Sequence, residues 1–127
     1  MKKKIVILFI LLSFTVIVFA QNKATNNPKN NAVKYKVTFV ELGSVRCIPC
    51  QKMQAVLKSI EEKYGKQVKV IFYDVWTPEG KPYATQYNIE AIPTQVFLDE
   101  NGKEFFRHVG FFAEEEIIKV LKTKGVK

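Results

Sequence analysis

The stretch GSVRCIPCQKM, Gly43 to Met53, holds both cysteines of the 127-residue chain, with only Ile48 and Pro49 between them. A disulfide across two intervening residues closes a very small loop and removes little entropy from the unfolded chain, so the pair makes a poor structural staple. A closed zinc site needs four ligands, and beyond the two thiols the chain offers a single histidine, His108. Covalent haem attachment needs His directly after the second cysteine, where Gln51 stands. What the spacing suits is reversible dithiol chemistry. Downstream of the pair, Met53, Val56, Leu57 and Ile60 recur at helical spacing, which predicts a helix from Pro49 to Tyr64 that Gly65 stops. Cys47 then sits at the helix N-terminus, where unpaired backbone N–H groups and the positive dipole end stabilise a thiolate. Cys50, three residues on, lies on the same face and can attack a mixed disulfide formed at Cys47. Pro49 is tolerated in the first turn because its missing N–H has no helical partner there. Arg46 adds a cation next to Cys47 in the chain.

Working outward, Tyr35–Leu42 (YKVTFVEL) is β-branched and aromatic and reads as a strand. Val68–Val75 (VKVIFYDV) is nearly all apolar, as expected for a strand covered on both sides by helices. Two strands joined through a helix form a right-handed βαβ unit with a parallel pair. Thr77-Pro78-Glu79 has the form of a helix start, with Thr77 as cap, leading to a helix that reaches Tyr87 and is weakened by Gly80 and Pro82. Thr94–Asp99, a two-residue Asn101-Gly102 turn and Lys103–Val109 read as a hairpin. The closing segment AEEEIIKVLKTKG begins with acids and ends with lysines, matching a helix dipole at both ends. The order is β-α-β-α-β-β-α, an α/β class. Within the first strand Glu41 alternates in phase with Val37 and Phe39, which predicts a partly buried carboxyl with a raised pKa, suited to proton exchange.

The N-terminus reads differently. Three lysines, an apolar run from Ile5 to Phe19 and a small residue at Ala20 have the order of a secretory signal over residues 1–20, cleaved after Ala20. The alternative is an uncleaved membrane anchor, for which the run is short of the roughly 20 residues that cross a bilayer. Either way the domain is expected to be exported, to a periplasmic or other extracytoplasmic space. Residues 21–32 are polar and Asn-rich and read as a flexible tether, leaving one domain at 33–127. Of the formal charge of +8, three units belong to Lys2, Lys3 and Lys4, so the mature chain carries +5. Its lysines are scattered, without an Arg-rich block or interleaved aromatics, which argues against a nucleic-acid partner.

The segment ELGSVRCIPCQKM following a strand, together with AIPTQVFLDENGKEFFRHVG, resembles the thioredoxin family, and the likeness runs from Tyr35 to the C-terminal helix. The resemblance implies a thioredoxin-like fold, a central four-stranded mixed sheet flanked by helices. It implies a monomeric thiol–disulfide oxidoreductase acting on protein thiols and disulfides, with no cofactor beyond the Cys47–Cys50 redox pair and with a membrane thiol transporter as electron donor. Pro93 matches the family's cis-proline, and Ile92 the residue whose backbone receives substrate, next to Thr94. Glu41 resembles the buried acid behind the second cysteine, with a longer arm. Arg46 and Ile48-Pro49 depart from the family's usual Trp and Gly-Pro, so substrate docking and redox potential are expected to differ there. The family's usual buried lysine has no counterpart, and Phe72 falls near its place. His108 and Trp76 read as structural residues. A rival from another class is a Cu(I)-handling module using Cys47, Cys50 and His108 on the same fold, since Cu(I) favours thiolates.

Overall fold

The structure, a computed structural model, describes residues 34–127. The leader expected at 1–20 and the tether at 21–32 lie outside the described residues. The elements are β1 (Val37–Gly43), α1 (Ile48–Tyr64), β2 (Val68–Asp74), α2 (Lys81–Gln86), β3 (Thr94–Asp99), β4 (Glu104–Val109) and α3 (Glu114–Lys122). The strands form one four-stranded mixed sheet in the order β2-β1-β3-β4. β1 runs parallel to β2, from Val37 beside Val68 to Gly43 beside Asp74. It runs antiparallel to β3, which pairs antiparallel with β4.

β1 is central, and its period of two divides the core. Val37 and Phe39 join Phe97 of β3, Met53, Leu57 and Ile60 of α1, and Ile117 and Leu121 of α3 on one face. Val40 and Leu42 join Val96 on the other, covered by Tyr83 and Ala84 of α2 and by Tyr87 just after it. Phe39 and Phe97 stack with ring centroids 4.6 Å apart and are completely buried. Each such ring contributes roughly 1.5–3 kcal/mol by leaving water.

Three local expectations are corrected. β2 is an edge strand, so most of its apolar side chains are half-buried and only Val68 is fully covered. α2 begins at Lys81 and not at Pro78. Thr77 does cap, but it caps an isolated turn: its hydroxyl donates to Asp74 O (2.8 Å) and accepts from the Gly80 N–H (3.0 Å). Pro82, which has no N–H, fits only a first helical turn, so the helix proper restarts around it. The hairpin connection has three residues, Glu100 to Gly102, because Asp99 pairs directly with Lys103 (Asp99 N to Lys103 O, 2.8 Å) and Gly102 takes the left-handed conformation at φ 76°. A bulge follows: Phe97 pairs with Phe106 and Leu98 with Glu104. Both Phe105 and Phe106 pack against the same core cluster.

Candidate active site

Three segments meet at the rim where β1 and β2 end and β3 begins. The parallel pair is extended by Val75 N–H donating to Gly43 O (2.9 Å). Asp74, at the end of β2, accepts the N–H of Val45 (3.1 Å) and of Trp76 (3.0 Å), tying the segment before the cysteines to the segment after β2. Desolvation works to raise its pKa, but those two donors, with Ser44 and the nearby Arg46, hold the Asp74 carboxyl below its ordinary range. The Gln51 side-chain amide donates to Val45 O (2.8 Å) and the Cys47 N–H to Ser44 O (3.1 Å), which pins the loop into α1.

Cys47 is the N-cap residue of α1, with extended backbone (φ −91°, ψ 120°), and its carbonyl accepts the Gln51 N–H at 2.9 Å. Pro49 lies in the first turn, which carries no acidic residue to oppose a thiolate. The two cysteines are joined as a disulfide with Cα atoms 5.2 Å apart. They are unequal: Cys47 is 8% exposed, while Cys50 is completely buried. Gly43 backs onto the buried thiol. A Cβ at that position would lie 3.2 Å from both Cβ and Sγ of Cys50, closer than side-chain atoms ordinarily sit, and would touch the Phe72 ring at 3.4 Å.

Glu41, two residues before Gly43 on the same face of β1, is completely buried, deeper than the partial burial expected. Phe72 flanks it from β2 and Gln95 from β3. Burial pushes its carboxyl up to about 8, and the Gln95 amide offsets part of that rise. The approach of Gln95 stops short of a formed hydrogen bond, since neither Glu41 oxygen has a partner at bonding geometry. The Ile92–Pro93 peptide is cis. Thr94 pairs with Leu42, which brings this segment to the same end of the sheet as Gly43 and the cysteines. Pro93 O accepts the Gly110 N–H (2.8 Å) and the Thr94 hydroxyl donates to Ala91 O (2.7 Å). Among the described residues, neither N–H nor C=O of Ile92 takes part in a backbone hydrogen bond.

A family model described as a thioredoxin-like domain matches residues 20–125. The chain belongs to the thioredoxin-like family. It is 31% identical to the chloroplastic thioredoxin Y of Oryza sativa subsp. japonica over 88 residues, covering 69% of this chain and 51% of that protein. It is 26% identical to Bacillus subtilis thioredoxin over 95 residues, covering 75% and 88%. A thiol:disulfide interchange protein TxlA homologue of Synechocystis is 28% identical, covering 67% and 45%. The chain spans about half the length of several curated relatives it matches. Among solved structures, the germline-specific thioredoxin Deadhead of Drosophila melanogaster superposes with a TM-score of 0.61 at 25% identity, covering 73% of this chain and 85% of that one. A thioredoxin from Halobacterium salinarum matches in fold at 0.63 and 22% identity, covering 71% and 75%.

In this thioredoxin-like chain three exposed side chains, Arg46, Ile48 and Trp76, lie on the segments that flank the dithiol and end β2. Arg46 is exposed, and its guanidinium carbon lies 5.7 Å from the centre of the Trp76 ring, so its visible partner is an aromatic face. Trp76, read from sequence as structural, is 52% exposed on the turn after β2, and Ile48 between the cysteines is 71% exposed. His108 stacks on Phe112 at 4.1 Å and its Nε2 lies 3.2 Å from Phe111 O. Among the described residues, no three His, Cys, Asp or Glu side chains gather into a metal-holding group, so His108 is not brought to the cysteines as a third ligand. Sequence reading passed over Asp74, Gly43 and Gln95. Glycine at a strand end was the available signal for a close approach, whereas Asp74 and Gln95 carry no motif of their own.

Proposed function

We propose that the chain is an exported thiol–disulfide oxidoreductase that reduces or exchanges disulfides in other proteins through Cys47 and Cys50. The observation that carries this reading is the unequal pair at the start of α1: one thiol at the helix N-cap with access to solvent, its partner buried one turn on, and the two in disulfide contact. In the reduced protein the Cys47 thiolate attacks a substrate disulfide, bonding to one sulfur while the other leaves as a thiolate. Cys50 then attacks the Cys47 sulfur of the mixed disulfide, regenerating the internal disulfide and releasing the second substrate thiol. Two electrons pass to the substrate. Glu41 exchanges the Cys50 proton, and the free backbone groups of Ile92 pair with the substrate chain beside Pro93 and Thr94. Arg46, Ile48 and Pro49 form the part of the docking surface nearest the pair.

The lysine-led apolar N-terminus supports export, and a basic exported monomer of this kind needs its electrons from a membrane thiol carrier because its surroundings are oxidising. The relatives' names, thioredoxins and a thiol:disulfide interchange protein homologue, support the chemistry. The attack order is tested by trapping: Cys50→Ser accumulates mixed disulfides through Cys47, whereas Cys47→Ser does not. Accumulation in Cys47→Ser alone would invert the assignment.

A further inference from the structure

β3 presents a second buried polar side chain to the acid. Gln95 stands directly across from Glu41 in the β1–β3 register, and both are completely buried. Directly opposed cross-strand residues have Cβ atoms about 4.5–5.5 Å apart, so a small rotation of either side chain joins them. Both amide atoms of Gln95 and both oxygens of Glu41 are unpartnered. An unsatisfied buried amide is costly, and an apolar residue would suit this half of the core better for stability alone.

The surroundings leave Gln95 as the polar neighbour best placed to serve the acid. From β2, Glu41 faces the apolar Phe72. From the start of α1 comes Cys50, which packs on Gly43, two residues along β1 on the same face as Glu41. Asp74 lies two pairs further along on β2, opposite Gly43, with its carboxylate engaged by the Val45 and Trp76 N–H groups. On β4, beyond Gln95 in the same row, stands His108. Among the described residues, burial raises the Glu41 carboxyl and the Gln95 side chain lowers it.

A lysine in the place of Gln95 would favour one protonation state of the acid. A primary amide carries both an acceptor oxygen and two donor hydrogens, and so can serve both states. We propose that Gln95 is a positioning residue for Glu41, its N–H donating to the carboxylate when Glu41 is ionised and its oxygen accepting from the carboxyl when Glu41 is protonated. The proposal rests on the reading of Glu41 as the proton exchanger of Cys50. In the resolving step the Cys50 proton passes to the Glu41 carboxylate, the Cys50 sulfur bonds to Cys47 Sγ, and the Cys47–substrate S–S bond breaks. The electron pair leaves on the substrate sulfur, which takes a proton from solvent.

The test follows the Glu41 carboxyl directly, by carbon-13 NMR titration of the oxidised protein labelled at glutamate, with Gln95→Leu and Gln95→Met as two apolar replacements. The bond to the carboxylate is the stronger of the two because it is charge-assisted, so loss of Gln95 raises the Glu41 midpoint by about one pH unit, a roughly tenfold weaker acid, in either folded variant. In single-turnover release from a preformed mixed disulfide, the pH profile moves the same way, and Gln95→Leu placed on Glu41→Gln produces no further pH shift. A changed unfolding midpoint with an unmoved titration in the folded variants would reduce Gln95 to packing and overturn the proposal. A moved titration with an unmoved release profile upholds Gln95 as the partner of Glu41 and instead removes Glu41 from the thiol chemistry.

Discussion

Glu41 holds its proton more tightly in the folded chain than in the unfolded one, because burial raises its pKa from 4.5 to about 8. Between those pH values the folded state binds more protons, so this group's contribution to stability falls as pH rises through the window and levels off beyond it. Glu41→Gln removes the ionisation. Urea unfolding of the variant and the parent should nearly coincide at pH 4 and separate by on the order of 3–5 kcal/mol at pH 9, the variant being more stable. Equal stabilities at pH 9 would mean that the carboxyl is solvated after all. A residue that destabilises the fold as pH rises through neutrality is hard to explain by packing. The balance makes sense if the acid is kept for its proton.

At the scale of elements, the turn after β2 offers the cleanest check. Thr77 satisfies both Asp74 O and the Gly80 N–H, so Thr77→Ala should lower unfolding free energy by about 1 kcal/mol, read by chemical denaturation. No loss would show that the turn is held by its neighbours alone. The same turn shows what a sequence can and cannot disclose. Thr77-Pro78 is a true capping signal, but the local pattern cannot say that only one turn follows before Pro82 imposes a new start. α1 was legible because its apolar spacing, Pro49 and Gly65 agree. Asn101-Gly102 announced the hairpin, while the extra loop residue and the bulge depend on how Phe105 and Phe106 both reach the core. Gln95 was invisible for a related reason: its importance arises from Glu41 on another strand, and only the register brings them together.

For the whole molecule, the topology gathers the C-terminal ends of β1 and β2 and the entry to β3 at one rim, where open α/β sheets place their sites. The cysteine pair and the Ile92-Pro93-Thr94 segment were legible as motifs, and the sheet explains why they belong together. The placement of Trp76 beside Arg46 was not legible, because Trp76 shows no chemical partner in the sequence and reads as structural until the turn after β2 brings it to Arg46. The reduction potential of the Cys47/Cys50 couple, measured by equilibration with a glutathione or dithiothreitol series, tests the central claim most directly. A reductase or exchanger gives a value from thioredoxin's roughly −270 mV to the disulfide isomerase's roughly −180 mV, whereas a value near −120 mV would make the protein a strong oxidant and contradict the account.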